Sequence, residues 1–415
     1  MLESLKYKDY RYLWTSVATL HWAEYMEMVI LSWFILEKTN SPLILGVYGA
    51  LRFSATLFAP LIGVLVDRLE KRLLIILVRT SFLFNSSIGL TLIFFDNLDK
   101  WEILILAGFL GISKTAEMVV RQSILPDIVP EKSVRNGLAL ERAGSDLTQI
   151  VSPIAGGYLL SWADMTMSYS VVVIFYLLSF MLSFRVGKNP LTATTNAIDN
   201  KRPMISSLFE ALKHVRTVPA LSGLLIMAVI INLTAYPLYF SLAAVVVKQV
   251  FHTSSESLGI ILGTYSLGAA IGSISLSSGL IRIRGGTLIV CGSVIWHAAA
   301  ALVSVSTSTS VSLPIFFTAG IGQSMCVIMI STMILSLTPP NLRGRIMGLR
   351  QLAVGGLPLG LLLSGAITEL AGVQIALVFN GIIGSLLTIG VCLIWPQMVR
   401  SESKKTSIEL PNLFH

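Results

Sequence analysis

Three ionisable residues recur at helical spacing inside an otherwise apolar stretch near the N-terminus. His21, Glu24 and Glu27 stand three residues apart in LHWAEYMEMVI, so an α-helix would place them on one face. A charge at the centre of a membrane costs roughly 2.5 to 3.5 kcal/mol on insertion scales, so such groups face water or a charged partner. The proton affinity of a carboxylate depends on its burial and on nearby cations. A cavity that opens to each side in turn would change both, and we interpret the three residues as candidates for proton coupling.

Basic and aromatic residues inside other apolar stretches are candidates for binding a substrate. The candidate substrate-cavity residues are Arg52, Lys114, Glu117, Arg350, Tyr25 and Tyr236. Arginine and lysine form charge-assisted hydrogen bonds with anions, so Arg52, Lys114 and Arg350 indicate a pocket suited to carboxylate or catecholate groups. The tyrosines would supply aromatic faces, although aromatic residues also pack in the interior or anchor helices at the membrane interface. Arg52 has no acid near it in its own stretch, and we expect Glu24 to be its partner.

Spacing also predicts ion pairs within single helices. Lys114 and Glu117 are three residues apart, and Glu117 and Arg121 are four apart. Arg142 and Asp146 are also four apart, so each pair shares a helix face. We expect Arg121, Arg142 and Asp146 to act as gate residues near the basic ends of their helices.

Two further ionisable residues suggest structural roles. Arg79 lies near the start of its apolar stretch and is expected to extend to the membrane surface. His297 stands alone in an alanine-rich stretch, and we expect it to be a packing residue whose hydrogen bonds are satisfied.

The elements that must position these residues are membrane-spanning helices. Of the 415 residues, 54% are hydrophobic and 13% are charged, against about 25% charged in an ordinary soluble protein. A helix needs about 20 mostly apolar residues to cross the hydrocarbon layer. Twelve stretches satisfy this rule, near 13–36, 43–66, 73–95, 101–122, 137–160, 166–186, 220–247, 257–280, 287–306, 311–337, 346–369 and 373–396. The predicted fold is therefore an all-α polytopic membrane protein with two six-helix bundles.

Basic residues alternate between the two sides of these twelve spans. One side holds most of the 30 lysines and arginines, and the other holds only Lys38, Lys100 and Lys248. Basic loops stay in the cytoplasm, so both termini are predicted to be cytoplasmic. The net charge of +8 is then largely an orientation signal, and it requires no nucleic-acid partner.

The longest polar stretch divides the chain into two halves. We predict an N-terminal six-helix bundle over 1–186, a cytoplasmic linker over 187–219, a C-terminal six-helix bundle over 220–396 and a cytoplasmic tail over 397–415. The linker contains the turn-rich NPLTATTNAIDNKRP. The sequence SSLFEALKHVRTV that follows is typical of an amphipathic helix on a membrane surface. Two similar halves are a common plan of alternating-access transporters.

The sequence lacks the patterns of several other functional classes. Its cysteines, Cys291, Cys326 and Cys392, lie far apart and without metal-ligand spacing, so we expect no metal site. A phosphate-binding G-x-x-x-x-G-K-[ST] loop is absent from the sequence. No convergent Ser/His/Asp or Cys/His nucleophile pattern stands out either. We therefore expect neither an enzyme nor a cofactor-dependent protein.

One loop motif carries a family resemblance. Residues 63–72, GVLVDRLEKR, resemble the G-x-x-x-D-R-x-x-R-R/K signature of the major facilitator superfamily. The resemblance implies a cytoplasmic latch formed by Gly63, Asp67, Arg68, Lys71 and Arg72. The corresponding loop of the second half, SSGLIRIRGG at 277–286, has no aspartate, so the latch would differ between the two halves.

Other stretches resemble one branch of that superfamily, the drug:proton antiporters that include macrolide-efflux proteins and enterobactin (siderophore) exporters. These stretches are VVRQSILPDIVPEKSVRNGLAL at 119–140 and LRGRIMGLRQLAVGGLPLG at 342–360. An acid at the position of Glu24 and an arginine at that of Arg52 are both common in this branch. Glu27 and Lys114 are less typical of it.

The segment SPIAGG at 152–157 resembles the G-P-x-x-G-G antiporter motif, with Ser152 in place of glycine. Its residues alone predict a packed helix bend. Pro153 frees a backbone carbonyl, and Gly156 and Gly157 permit close packing. Antiport is what the resemblance adds.

The resemblance implies a monomeric secondary transporter of the bacterial cytoplasmic (inner) membrane that exports a small organic molecule by proton antiport. Its partners would be the substrate, protons and the lipid bilayer. We favour a siderophore as the substrate because basic residues lie inside the spans. A macrolide or multidrug efflux pump is a close alternative, since hydrophobic cations would suit Glu24 and Glu27. A proton-coupled organic-anion importer is a further alternative, and a non-transporting membrane receptor or scaffold ranks last because the loops are short.

Overall fold

The computed structural model describes residues 3–66, 69–187, 204–278 and 283–400, which are almost entirely helical. In chain order the helices are α1 (Lys8–Thr39), α2 (Pro42–Ser54), α3 (Ala59–Val66), α4 (Lys71–Phe94), α5 (Lys100–Ile128), α6 (Glu131–Trp162), α7 (Met165–Ser183), α8 (Met204–Thr217), α9 (Pro219–Ile230), α10 (Ala243–Val245), α11 (Ser255–Ser277), α12 (Gly285–Val303), α13 (Thr309–Leu337), α14 (Arg343–Ala353), α15 (Gly356–Ala371), α16 (Val373–Ile394) and α17 (Pro396–Arg400). Short 3₁₀-helices cover Glu3–Lys6, Ala55–Phe58 and Pro340–Leu342, and the described residues contain no strand.

Nine helical segments in the described part of the chain are long and apolar enough to cross a membrane. They are α4, α5, α7, Pro219–Val250, α11, α12, α13, Arg343–Ala371 and α16. The other three predicted spans are also helical. α1 and α6 carry ionisable residues along their length, and α2 and α3 are separated by the turn Ala55–Phe58. Large apolar side chains such as Phe84 and Leu363 are exposed on the helix surfaces, as lipid contact requires. The all-α membrane fold expected from the sequence is therefore confirmed.

The span Pro219–Val250 is irregular along much of its length. It contains three π-helical stretches, Ile231–Ala235, Leu238–Leu242 and Val246–Val250. Pro237 lies between the first two and has no N–H to donate to the helix ladder. Such π-helical segments are rare and often occur at functional sites.

Spans two and eleven are broken at a point where they meet. The 3₁₀ turn Ala55–Phe58 interrupts span two, and Val354 and Gly355 separate α14 from α15 in span eleven. A Cβ added to Gly355 would lie 2.2 Å from the Leu57 side chain, so the two breaks are in direct contact. Both breaks lie beside residues that line the cavity described below.

The two halves pack against each other through α2 with α15 and through α6 with α11. We call the end of the bundle that carries the turns 40–41, 95–99, 163–164, 251–254, 304–308 and 372 the arginine-poor end, and the opposite end the arginine-rich end. Near the arginine-poor end the backbones touch. A Cβ at Gly46 would lie 2.5 Å from the Leu361 carbonyl oxygen, and a Cβ at Gly157 would lie 2.5 Å from that of Ser255. This close approach requires glycine at both positions.

A helix stands where the sequence predicts an amphipathic segment between the two halves. α8 buries Ala211 and Val215, and Glu210 forms an ion pair with Arg345 of α14. Residues 188–203 of the predicted linker and 401–415 of the predicted tail lie outside the described residues. The predicted bounds of the two bundles, the linker and the tail stay predictions.

Candidate substrate and proton-binding site

A cavity of about 180 Å³ lies mainly in the second half, at its contact with span two. The lining residues are Phe53, Ala228, Ile231, Asn232, Tyr236, Phe240, Val327, Ile330, Arg350, Val354 and Leu357. The irregular span Pro219–Val250 supplies the polar Asn232 and the aromatic rings of Tyr236 and Phe240. The two predicted cavity residues of the second half, Tyr236 and Arg350, therefore both line one space.

Arg350 is the only charged residue among the described residues that line this cavity. Its Nε atom is buried and has no hydrogen-bond partner within the described residues. A buried guanidinium donor without a partner is costly and favours an anionic or carbonyl group from a bound molecule. The Tyr236 hydroxyl accepts a hydrogen bond from Gln323 Nε2 at 3.3 Å, and the Tyr236 ring lies edge-on to Trp296. The ring is thus held in place at the cavity wall.

Lys114 of α5 joins the ionisable residues of span one to this cavity. Its ammonium group lies 3.5 Å from Glu24 Oε1 and 5.3 Å from the centre of the Phe53 ring, and Phe53 lines the cavity. The Lys114 side chain is 33% exposed, whereas that of Glu24 is 6% exposed. Lys114 is therefore partly exposed, and it links Glu24 to Phe53 in the cavity wall.

Glu27 lies one helical turn further along α1 in a closed cage. Tyr169 and Tyr176 of α7 donate hydrogen bonds to its two carboxylate oxygens at 2.6 and 2.8 Å. Arg52 Nη1 lies 3.9 Å from Glu27 Oε2 and donates to the Tyr48 hydroxyl at 2.6 Å. Glu27 and Arg52 are 1% and 3% exposed. A fully paired carboxylate in this position supports packing more directly than proton exchange.

The predicted ion pair between Arg52 and the Glu24 carboxylate is wrong. Arg52 Nη2 donates to the backbone carbonyl of Glu24 at 3.2 Å, while its ion-pair partner is the Glu27 carboxylate. Both acids share one face of α1, so one turn decides which neighbour each meets. Glu24 meets Lys114 of α5, and Glu27 meets Arg52 of α2.

A second buried network joins α4, α5 and α6. Glu117 Oε1 lies 3.2 Å from Arg79 Nη2 and 3.0 Å from Arg121 Nε, and Arg121 also pairs with Glu141. The i,i+4 pair of Glu117 and Arg121 is present, whereas Lys114 pairs with Glu24 in place of Glu117. The Arg79 side chain is fully buried, so the expectation that it extends to the membrane surface is wrong. Its partner Glu117 lies on a neighbouring helix, which no spacing rule within α4 reveals.

His21 and Tyr25 lie between the two networks. Their rings are in edge contact at 6.3 Å, and His21 borders a small space together with Glu141 and Trp14. His21 Nδ1 is buried without a hydrogen-bond partner in the described residues. Neither residue lines the cavity that contains Arg350, so a direct substrate role of Tyr25 stays a prediction.

The described members of the predicted latch, Gly63, Lys71 and Arg72, lie at the arginine-rich end. Lys71 pairs with Asp127 at 2.7 Å and donates to the Ser123 carbonyl, and Arg72 donates to the Phe184 carbonyl at 3.3 Å. Gly63 has open space around it, since a Cβ there would come no closer than 3.9 Å to its nearest neighbour. Asp67 and Arg68 lie outside the described residues, so the latch through the aspartate stays a prediction.

The predicted gate residues Arg142 and Asp146 form the expected ion pair at 2.9 Å. Gly156 packs on the backbone of Met26 in α1, while Gly157 packs on α11 of the other half. The Pro153 carbonyl oxygen also faces α11, where it would meet a Cβ added to Gly259. The predicted close packing at SPIAGG is therefore present, and the contacts of Pro153 and Gly157 join the two halves.

A buried histidine of the second half is paired with neutral groups. His297 shares hydrogen bonds with Thr234 Oγ1 at 2.7 Å and with the Ser293 carbonyl at 2.8 Å. His297 is therefore buried and hydrogen-bonded at both ring nitrogens, as predicted for a packing residue. Sequence reasoning missed the tyrosines Tyr169 and Tyr176 of the Glu27 cage. Their spacing of seven residues, two helical turns, was the available signal.

Comparison with known proteins supports this architecture. The sequence model of the Major Facilitator Superfamily matches residues 13–358 and 238–413. Among solved structures, the nucleoside transporter NupG superimposes with a TM-score of 0.71 at 13% identity, covering 93% of this chain and 99% of that one. A bacterial homolog of the human lysosomal transporter Spinster gives a TM-score of 0.70 at 13% identity, covering 95% and 97%. At these identities the likeness concerns the fold alone.

Several characterised bacterial transporters are similar in sequence. The staphyloferrin A transporter of Staphylococcus aureus is 25% identical over 272 residues, which is 64% of this chain and 66% of that protein. The multidrug efflux pump Tap of Mycobacterium tuberculosis is 22% identical over 84% of both chains. Macrolide efflux protein A of Streptococcus pyogenes is 26% identical over 137 residues, about a third of each chain. Because the sequence model of the family matches most of its length, this chain belongs to the major facilitator superfamily.

Proposed function

We propose that this chain exports a small organic molecule from the cytoplasm in exchange for protons, with a siderophore as the favoured substrate. The observation that carries the proposal is the Lys114–Glu24 pair, in which a buried carboxylate faces a partly exposed cation that contacts Phe53 of the cavity wall. Similarity to a staphyloferrin A transporter and to efflux proteins supports the substrate class and the direction. The cytoplasmic position of both termini belongs to the same proposal.

The cavity suits a molecule with both acceptor and donor groups. A carboxylate or carbonyl of the substrate would meet the unpartnered Nε of Arg350, and the rings of Phe53 and Tyr236 would cover its apolar parts. A hydroxyl or ammonium group would hydrogen-bond to Glu24. Hydroxycarboxylate siderophores carry this combination of groups.

Exchange with protons follows from competition at Glu24. A substrate donor that binds the Glu24 carboxylate requires the deprotonated form, so binding to protein that is protonated at Glu24 releases that proton. Protonation on the other side of the membrane then releases the substrate. Glu27 has no comparable freedom because two tyrosines and Arg52 occupy its oxygens. We therefore assign proton exchange to Glu24.

The experiment uses inside-out membrane vesicles with an acidic interior. Cells that produce the chain should yield vesicles that accumulate radiolabelled staphyloferrin A, and dissipating the proton gradient should abolish the accumulation. Glu24→Gln should remove the proton dependence, whereas the control Glu102→Gln, at a capping carboxylate of α5, should not. If the vesicles accumulate a macrolide and not the siderophore, the proposed substrate class is wrong and the chain is a macrolide exporter. If the proton gradient had no effect on either compound, the exchange mechanism would be wrong.

A second candidate is a transporter that moves an organic anion together with protons. The same pair favours it if the substrate anion binds Lys114, which is 33% exposed. Glu24 would then lose its cation, and a carboxylate left beside an anion binds a proton more readily. Substrate and proton would travel in one direction. The sign of the proton flux in liposomes distinguishes the two: substrate and protons move in opposite directions in the first candidate and together in the second.

A further inference from the structure

The arginine-poor end contains a carboxylate that joins the two halves of the chain. Glu369, in the last turn of α15, accepts hydrogen bonds from the Ser41 hydroxyl at 2.9 Å and from the Leu43 backbone N–H at 3.2 Å. Both donors belong to the first turn of α2, in the other half. A carboxylate at a helix N-terminus interacts favourably with the helix dipole and with the unpaired N–H groups there.

This contact is additional to the ordinary cap of α2. The Ser41 hydroxyl oxygen already accepts a hydrogen bond from Ile44 N at 3.2 Å, as an N-cap residue does. Pro42 at the first helical position has no N–H to satisfy. The helix therefore has a cap of its own, and Glu369 adds a bond that exists only while the halves are together.

A second acid lies at the other helix pair. Glu256, in the first turn of α11, lies near the Tyr158 hydroxyl of α6. Beside it the Ser255 hydroxyl donates to the Gly157 carbonyl at 3.0 Å. Each of the two helix pairs between the halves thus carries one glutamate from the second half.

We propose that Glu369 and Glu256 form a clamp that holds the arginine-poor end closed and is released when the two halves separate there. Both acids come from the second half, and both meet polar groups of the first half. Separation at this end would break the hydrogen bonds of Glu369 and move Glu256 away from Tyr158. The close glycine contacts at Gly46 and Gly157 set the distance at which the clamp forms.

The molecule offers a matched control for the clamp. Glu102 also bonds at a helix N-terminus of the arginine-poor end, since its carboxylate accepts from Asp99 N at 3.2 Å. Both partners of that bond lie in the first half. Removing Glu102 therefore removes a capping bond without changing any contact between the halves.

The test measures the distance between the halves in purified full-length protein in lipid nanodiscs. Spin labels on cysteines introduced at the exposed positions Asn97 and Val305, in a background with the native cysteines replaced by alanine, report on the two halves. Glu369→Ala should raise the population of long distances about two- to fivefold, the range expected for a surface carboxylate at a helix N-terminus. Glu369→Gln, which keeps an acceptor oxygen, should have a smaller effect, and Glu256→Ala should act in the same direction.

Glu102→Ala should leave the distance distribution unchanged. Glu369→Ala and Glu256→Ala distributions equal to that of the unsubstituted protein would overturn the clamp, as would an equal shift in Glu102→Ala. If Glu369→Ala protein fails to fold, Glu369→Gln and Glu256→Ala decide by the same criterion. The measurement needs no substrate, so its outcome is independent of the exchange mechanism proposed above.

Discussion

The two halves of the chain place different kinds of polar residue inside the membrane. The first half contains interlocking ion pairs, and the carboxylates of Glu24, Glu27 and Glu117 each have a basic partner on another helix. The second half relies on neutral groups such as His297 with Thr234, and it presents Arg350 at the cavity. Its span Pro219–Val250 is irregular where the corresponding α1 is a continuous helix.

This difference suggests that the halves contribute different properties to one transport cycle. Charges that pair across helices respond to protonation, because losing one charge leaves its partner alone in a medium of low dielectric constant. An irregular helix presents side chains and backbone groups that a regular helix would hide. Under the proposed function, the first half exchanges protons and the second half shapes the substrate cavity. The following substitutions test that division.

The largest effect is expected from Glu24→Gln. One proton driven by about 100 mV and one pH unit supplies about 3.7 kcal/mol, enough for roughly a 500-fold substrate gradient. Without the titratable group the accumulation ratio in vesicles should fall towards one, while substrate exchange without a gradient persists. A Glu24→Gln protein that still accumulates substrate in proportion to the proton gradient would place the coupling elsewhere in the molecule.

The next effect is expected on stability, from Glu117→Gln. This substitution leaves Arg79 and Arg121 buried without their shared carboxylate, and breaking a buried ion pair costs about 3 to 5 kcal/mol. The thermal unfolding midpoint in detergent should fall clearly below that of the exposed control Glu131→Gln. Equal midpoints for the two variants would show that the network contributes little to the fold.

Arg350→Met should weaken substrate binding while leaving the ion pairs of the first half intact. A hydrogen bond to a charged group contributes about 1.5 to 3 kcal/mol, so KM should rise about tenfold or more. The ratio of protons to substrate moved should stay the same, because Glu24 is unchanged. The exposed control Arg135→Met should have the KM of the unsubstituted protein. If the KM of Arg350→Met is also unchanged, Arg350 does not bind the substrate.

The smallest effect is expected from Tyr169→Phe, which removes one of the two hydroxyl donors to Glu27. The free energy of unfolding should fall by about 1 kcal/mol, the net contribution of a typical hydrogen bond. The pH dependence of transport should not change, because the proposed function assigns proton exchange to Glu24 and only packing to Glu27. A shifted pH profile, with Tyr12→Phe as the unshifted control, would instead assign proton exchange to Glu27.

The fold was largely predictable from the sequence, because twenty apolar residues in succession leave few alternatives in a membrane. Three predicted spans are not among the nine that are long and apolar enough by themselves. These are α1, α2–α3 and α6, and they carry charges or breaks. The charges of α1 pair with Arg52 and Lys114 of the same half. The hydrophobic pattern records neither the break at Ala55–Phe58 nor the extent of the π-helical stretches, although Pro237 marks a site where the helix ladder lacks a donor.

The candidate site was only partly predictable. The i,i+4 pairs Glu117–Arg121 and Arg142–Asp146 form as helix geometry requires. The partners of Arg52 and Arg79 depend on how neighbouring helices are rotated and shifted, and a shift of one turn exchanges Glu24 for Glu27. Such offsets are set by tertiary packing, and the position of a charge along one helix does not determine them.

Competition of substrate and proton for the Glu24 carboxylate can be measured as proton release when the substrate binds. The substrate found in the vesicle assay is added to purified protein in weakly buffered detergent solution containing a pH-sensitive dye. Acidification should saturate with the binding curve in the unsubstituted protein and should be absent in Glu24→Gln, which should still bind through Arg350. Binding without a pH change, or with proton uptake, would contradict this competition.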